Sequence, residues 1–308
     1  MKKLEYKDYW FNYISKEDPQ KIKGLIKEEY ITSQNIKIHL DIYDKEGLSD
    51  KTIIFVHGTS VYSRFYAEFC YNLFQKGYRV VAPDMIGHGL SEGKRGHFTM
   101  DILAKTIYDV NSYVREKFGE KVIVMGSSLG GITTLYSVAY DPRFKAAICH
   151  NAAVFNEEAY KKIIKVEGPL KELIEEIPEM VKKSPKTSLS VYTYLDFYKL
   201  AKTDDILKRI DYLIKDKMLS DKYTITSIYT QMSAPLAKPI EKIETPIMFI
   251  NGDEDYLFSV EFMTELYDRL TCKNKSLIIL KGVSHLIFQE NLELVLERII
   301  TWLEQILD

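Results

Sequence analysis

The chain has 308 residues, 46% of them hydrophobic and 12% aromatic, with 42 Lys and Arg against 44 Asp and Glu for a formal net charge of -2. A length near 300 lets a chain bury about 75% of the surface it would expose unfolded, enough for one large core with room for an inserted subdomain. The aromatic content excludes disorder, 15 Gly and 9 Pro exclude a collagen-like or linker composition, and a near-neutral balance without a block of like charge leaves no footprint for nucleic acid.

The N-terminus, Met1-Lys2-Lys3-Leu4-Glu5-Tyr6-Lys7-Asp8, interleaves acids where a secretion signal needs an unbroken apolar stretch. Nowhere does the chain run to the ~18 uncharged apolar residues of a membrane span. Cys70, Cys149 and Cys272 are odd in number and far apart, which speaks against a disulfide framework or a paired metal site. A cytoplasmic protein without a cofactor is the expectation, and nothing in the sequence sets its oligomeric state. Residues 1–28 mix charge and aromatics and read as a helix or an arm, with Trp10-Phe11 as packing residues.

Tyr30 to Tyr43 alternates around Ser33-Gln34-Asn35, which predicts a two-stranded antiparallel start. The rhythm then changes to continuous apolar runs: Ile53-Ile54-Phe55-Val56, Arg79-Val80-Val81-Ala82, Val122-Ile123-Val124-Met125 and Ala146-Ala147-Ile148-Cys149. Helix-length stretches separate them, at Ser63 to Lys76, Met100 to Phe118 and Leu129 to Tyr140. The alternation stops near Ala152 and resumes at Pro246 with Ile247 to Ile250, a helix around Val260 to Leu270, Leu277 to Leu280 and a final amphipathic helix from about Glu290. Continuous apolar strands alternating with helices mean an α/β fold whose mostly parallel, eight-stranded sheet is covered on both faces. The core is therefore 1–154 plus 239–308. The intervening 155–238 has one glycine, Gly168, and apolar residues at helical spacing such as Ile174, Ile177 and Val181, and reads as an all-helical insert divided by its prolines.

Chemistry concentrates where the third parallel run ends, in Gly126-Ser127-Ser128-Leu129-Gly130-Gly131. This is G-x-S-x-G between a strand and a helix, the setting in which a serine is held on a strained turn as a nucleophile. Ser128 is the candidate, and Ser127, out of register with the glycines, reads as a packed neighbour. A serine hydroxyl needs a base, and the base an orienting carboxylate. The last two predicted strands end in Asn251-Gly252-Asp253-Glu254-Asp255 and in Lys281-Gly282-Val283-Ser284-His285. That supplies His285 as the base and three carboxylates from which the acid comes, in the order Ser, acid, His.

On these residues the chain resembles the α/β-hydrolase fold enzymes from about Glu29 to Leu307. The resemblance implies Asp255 as the acid, since in similar sequences the second Asp of a G-D-x-D loop serves, and leaves Asp253 to stabilise the loop. It also implies an oxyanion hole from the N–H groups of Leu129 and of Thr59, the latter following His57-Gly58. The segment Pro83 to Gly96 carries D-x-x-G-H-G-x-S-x-G-x-R-G, similar to the monoacylglycerol lipase and lysophospholipase (serine aminopeptidase-like) branch, which also places a helical cap where 155–238 lies. The elbow departs from that branch in having Ser127 where His is common and Leu129 where Met is common. His39, His57, His88, His97 and His150 read as structural histidines.

The function expected is a serine carboxylester hydrolase, with small-molecule ester or lipid-like substrates. Tyr192, Tyr194, Phe197, Tyr198 and Tyr229 are candidate cap residues for binding them. Two alternatives remain: a peptidase of the proline-iminopeptidase kind, with Glu157, Glu158 or Asp204 holding an α-amine, and a ligand receptor that does not hydrolyse. An Asp nucleophile, metal-ligand spacing and G-x-G-x-x-G are all missing, against dehalogenase, metal and dinucleotide chemistry.

Overall fold

Gln34 and Asn35 adopt left-handed φ values of 50° and 64°, as a two-residue hairpin turn requires. In the computed structural model, which describes residues 6–47, 50–163 and 169–307, this turn joins β1 (Ile26–Ser33) to β2 (Ile36–Tyr43). The first five residues and Gly168 lie outside that description. A 3-10 helix over Tyr6–Tyr13 and α1 (Pro19–Leu25) precede the hairpin.

Four strands follow with their helices: β3 (Lys51–Val56), α2 (Ala67–Gln75), β4 (Arg79–Pro83), α3 (Met100–Phe118), β5 (Lys121–Ser127), α4 (Leu129–Tyr140) and β6 (Ala146–His150). The inserted segment holds α5 (Ala159–Ile163), α6 (Pro169–Lys183), β7 (Ser188–Ser190), α7 (Asp204–Leu213), β8 (Lys222–Thr224) and α8 (Ile225–Ser233). The chain then returns through β9 (Ile247–Gly252), α9 (Val260–Arg269), β10 (Lys275–Leu280), α10 (Ile287–Glu290) and α11 (Leu292–Leu307). The sheet order is β1-β2-β4-β3-β5-β6-β9-β10, and β2 alone runs against its neighbours. β4, β6 and β9 are buried along their whole length, which is why they read as unbroken apolar runs.

The insert departs from the predicted all-helical form in two ways. β7 and β8 pair antiparallel, Ser188 opposite Thr224. Three residues are too few to leave a periodic signal, so only tertiary pairing makes them strands. Pro178 also stands inside α6 without dividing it. A proline removes one backbone hydrogen bond, and burial of Ile174 and Ile177 on the same face outweighs that loss.

Candidate active site

β5 ends at Ser127 and α4 begins at Leu129, so Ser128 alone makes the turn. Its φ of 56° and ψ of −120° are a strain of about 1–3 kcal/mol for a residue with a side chain. Three contacts hold it there. The Ser128 N–H donates to the His150 carbonyl (2.9 Å), the Ser128 carbonyl accepts from the Ile132 N–H (3.0 Å), and the flanking glycines let the turn close. A Cβ on Gly126 would strike the Gly130 carbonyl, and one on Gly130 would strike that of Val56.

The loop after β9 sorts its three carboxylates by direction. Asp253 Oδ1 accepts the Gly282 N–H (2.6 Å), and Glu254 pairs with Lys202. Asp255 turns inward, its Oδ2 2.8 Å from His285 Nδ1 and its Oδ1 accepting the N–H groups of Leu257 (2.8 Å) and Phe258 (3.0 Å). Burial by itself pushes the Asp255 carboxyl up. The charge and hydrogen bond of His285, with His150 and the Phe258 N–H, outweigh burial and hold it at about 2. An ionised Asp255 only accepts, so Nδ1 of His285 carries the proton and Nε2 is left as a base. The His285 ring lies nearly parallel to Phe258, centroids 6.0 Å apart.

Leu129 is the first residue of α4, where a backbone N–H has no acceptor within the helix. Thr59 stands beside Ser128 on the loop after β3. His57 shapes that loop: its Nε2 accepts the Met85 N–H (3.0 Å), so Nδ1 carries the proton given to the Gly58 carbonyl (2.9 Å). The inserted segment reaches the same loop. Tyr223 of β8 accepts the Ser60 N–H (2.7 Å) on its hydroxyl and donates to His88 Nε2 (3.0 Å). In the Pro83–Gly96 segment, Asp84 accepts from Ser63 (2.8 Å) and Leu90 (2.7 Å), and a Cβ on Gly89 would strike its carboxylate.

Ser128 sits where two clefts meet. One lies between Ser128, Leu129, Phe155, Tyr160, Tyr194 and Phe258. It continues past Tyr160, Tyr194 and Gln231 into a chamber lined by Leu173, Ile177 and Ile228. The other lies on the His285 side under Phe197, Leu200 and Leu213. Of the expected cap residues, Tyr194 and Phe197 therefore face the clefts. Tyr192 and Tyr198 point to solvent, 43% and 44% exposed, with the Tyr198 hydroxyl on Asp211 (2.6 Å). Tyr229 is half-buried against the core and is not on either cleft wall. Tyr160, Leu195 and Gln231 carried no sequence signal, being single residues of a segment without a motif.

Two clusters of ligating groups exist among the described residues, and neither suits a metal. Nitrogens of His150 and His285 lie within 4.8 Å of an Asp255 oxygen. Both Asp255 oxygens, however, are already occupied by two donors each. In the other, Glu28, His39 and Asp41, the Arg64 guanidinium binds both carboxylates and supplies the cation.

A strand-end serine on a strained turn, with a carboxylate and a histidine brought together from the ends of later strands of one mostly parallel sheet, is the arrangement of an α/β-hydrolase. The chain belongs to the serine aminopeptidase S33 family, whose model matches residues 48–291. It is similar to a monoglyceride lipase homologue of monkeypox virus, 23% identical over 82% of this chain and 89% of that protein. A caffeoylshikimate esterase of Arabidopsis thaliana is 25% identical over 91% of this chain and 89% of its own length. The crystal structure of a monoacylglycerol lipase from Paleococcus ferrophilus superposes with a TM-score of 0.69, at 24% identity over 90% of this chain and 98% of that one.

Proposed function

We propose that the protein is a serine carboxylester hydrolase of the lipase-like kind, acting on lipid-like esters of medium or long acyl chain through an acyl-enzyme on Ser128. The observation that carries this reading is the position of Ser128 at the mouth of an apolar cleft that runs on into a second apolar chamber. His285 Nε2 takes the Ser128 proton as Oγ attacks the ester carbonyl, and ionised Asp255 stabilises the imidazolium. The N–H groups of Leu129 and Thr59 bind the oxyanion. His285 then gives its proton to the leaving alcohol in the cleft on its own side, and water activated by the same nitrogen releases the acid.

Relatives named as a monoglyceride lipase homologue and a caffeoylshikimate esterase support an ester as the substrate. The peptidase reading needs a carboxylate facing the cleft. Glu157 instead pairs with Arg269, Glu158 pairs with Lys161, and Asp204 is exposed at the start of α7. A receptor reading leaves a complete Asp255–His285 pair beside Ser128 without a task. No helix among the described residues is long and apolar enough to cross a membrane.

A series of p-nitrophenyl esters from acetate to palmitate, run with Ser128→Ala, tests the proposal. Turnover should peak at eight or more acyl carbons, as the walls of the cleft and of the chamber beyond it are mostly apolar. It should fall by several orders of magnitude in the variant. Wild-type-like turnover in Ser128→Ala would overturn the assignment, and a peak at acetate would overturn the substrate class.

A further inference from the structure

β6 ends in a corner of two buried polar residues, His150 and Asn151, that no motif marks. Asn151 turns the chain with φ 66° and is fully buried. Its side-chain amide nitrogen donates to Asp255 Oδ2 (3.0 Å) and to Asn251 Oδ1. Asn251 cannot be reversed, because its own nitrogen donates to the carbonyls of Gly252 (2.8 Å) and Phe258 (2.9 Å). A reversed Asn151 would set its oxygen against two acceptors, so a single orientation is allowed, although it leaves the buried Asn151 Oδ1 without a partner. The residue before it accepts the Ser128 N–H on its carbonyl (2.9 Å). One short corner thus touches both the nucleophile's backbone and the acid.

We propose that Asn151 is a positioning residue for Asp255, an inference that rests on the ester-hydrolase reading of the same site. It shares Oδ2 with His285, so it fixes the carboxylate's rotation and draws off part of the charge that faces the imidazole. With that donor gone, the carboxylate holds the imidazolium more tightly, and His285 becomes a free base only at higher pH. The titratable groups facing the His285 ring are Asp255 and His150. His150 is kept neutral, burial and the neighbouring His285 pushing it down to about 3, so it does not titrate in the working range.

The test is the pH profile of kcat/KM for a p-nitrophenyl ester in Asn151→Gly, which deletes the donor and keeps the left-handed backbone open to the chain. Asn151→Ser, too short to reach Asp255 from the same place, is the second variant, and thermal melting shows that each is folded. The acid limb should move up by roughly half a unit, with kcat lowered about tenfold and KM little changed. A folded variant whose limb stays at the wild-type pH would overturn the proposal. An NMR titration of the His285 ring reads the same shift without substrate. Absence of Ser128-dependent turnover in the wild type would fell the ester-hydrolase reading, and an unmoved ring titration would fell the role of Asn151.

Discussion

Asp253 and Asp255 stand two residues apart in one loop, yet one binds a backbone N–H at the surface and the other lies against His285. Asp255→Asn should therefore lower kcat by about 10⁴-fold, because an amide neither fixes the protonated Nδ1 nor balances the imidazolium. Asp253→Asn keeps an oxygen for the Gly282 N–H and should stay within about tenfold of the wild type. Steady-state kinetics of both decide the matter, and the reverse order would move the acid to Asp253. Ser128 and His285 could be singled out as candidates because the flanking glycines and the strand-end setting impose a pattern on the sequence. Asp255 could be preferred only through the family likeness, since three adjacent carboxylates differ in direction and not in spacing. Asn151 was not legible at all: an asparagine at a strand end carries no periodicity, and its meaning comes from a loop about a hundred residues away.

At the scale of elements, the N-terminal segment is the largest difference from what its sequence conveyed. Charge and aromatics gave no periodic signal, and the structure shows why: its partners are distant. Tyr13 donates to Asp216 Oδ2 (2.7 Å), Tyr62 donates to the same oxygen (2.7 Å), and the Met218 N–H donates to Oδ1 (2.8 Å). Tyr9 donates to the Tyr212 carbonyl (2.9 Å) at the end of α7. Arg209 of α7 gives its guanidinium to the carbonyls of Asn12 (3.1 Å) and Ile14 (2.6 Å). On the other side Glu68 of α2 accepts the N–H groups of Ser15 (3.0 Å) and Glu17 (2.8 Å). The segment is a brace between core and insert. Tyr13→Phe should cost about 1.5–3 kcal/mol, as expected when a hydrogen bond to a buried carboxylate is lost. Tyr13→Phe with Tyr62→Phe should cost more than their sum, since it leaves Asp216 nearly without donors. Urea unfolding of the three variants measures both, and additive losses would mean that Asp216 finds another partner.

At the scale of the whole molecule, buried titratable groups set the acid limit. Burial, with a second histidine close by, pushes His88 and His150 down to about 3, so both are neutral when folded and protonated when unfolded below about 6.5. Unfolding then takes up protons, and stability is lost as pH falls from about 6.5 toward 3. Asp84, held below the usual range by His39 against its own burial, and Asp255 at about 2 act in a second window. Their contribution is present above about 4 and lost as pH falls toward 2. Denaturation midpoints against pH should decline in these two stages, with His57, also lowered by burial, adding to the proton uptake of the first. A flat curve between pH 7 and 4 would contradict the burial of the two histidines. The eight-stranded sheet was legible because strands buried on both faces spell themselves out as apolar runs. The shape of 155–238 was not legible, because short strands and a proline tolerated inside a helix are decided by contacts.

The brace has a consequence for how the protein is made. Tyr13 and its acceptor on Asp216 are 203 residues apart, so during synthesis this hydrogen bond has to wait until Asp216 has followed. The brace is thus completed late, after Glu68 has become available to Ser15 and Glu17. A chain halted before Asp216 lacks the acceptor that Tyr13 and Tyr62 share, which makes the order of assembly, and not the sheet alone, a determinant of how much protein a cell recovers folded.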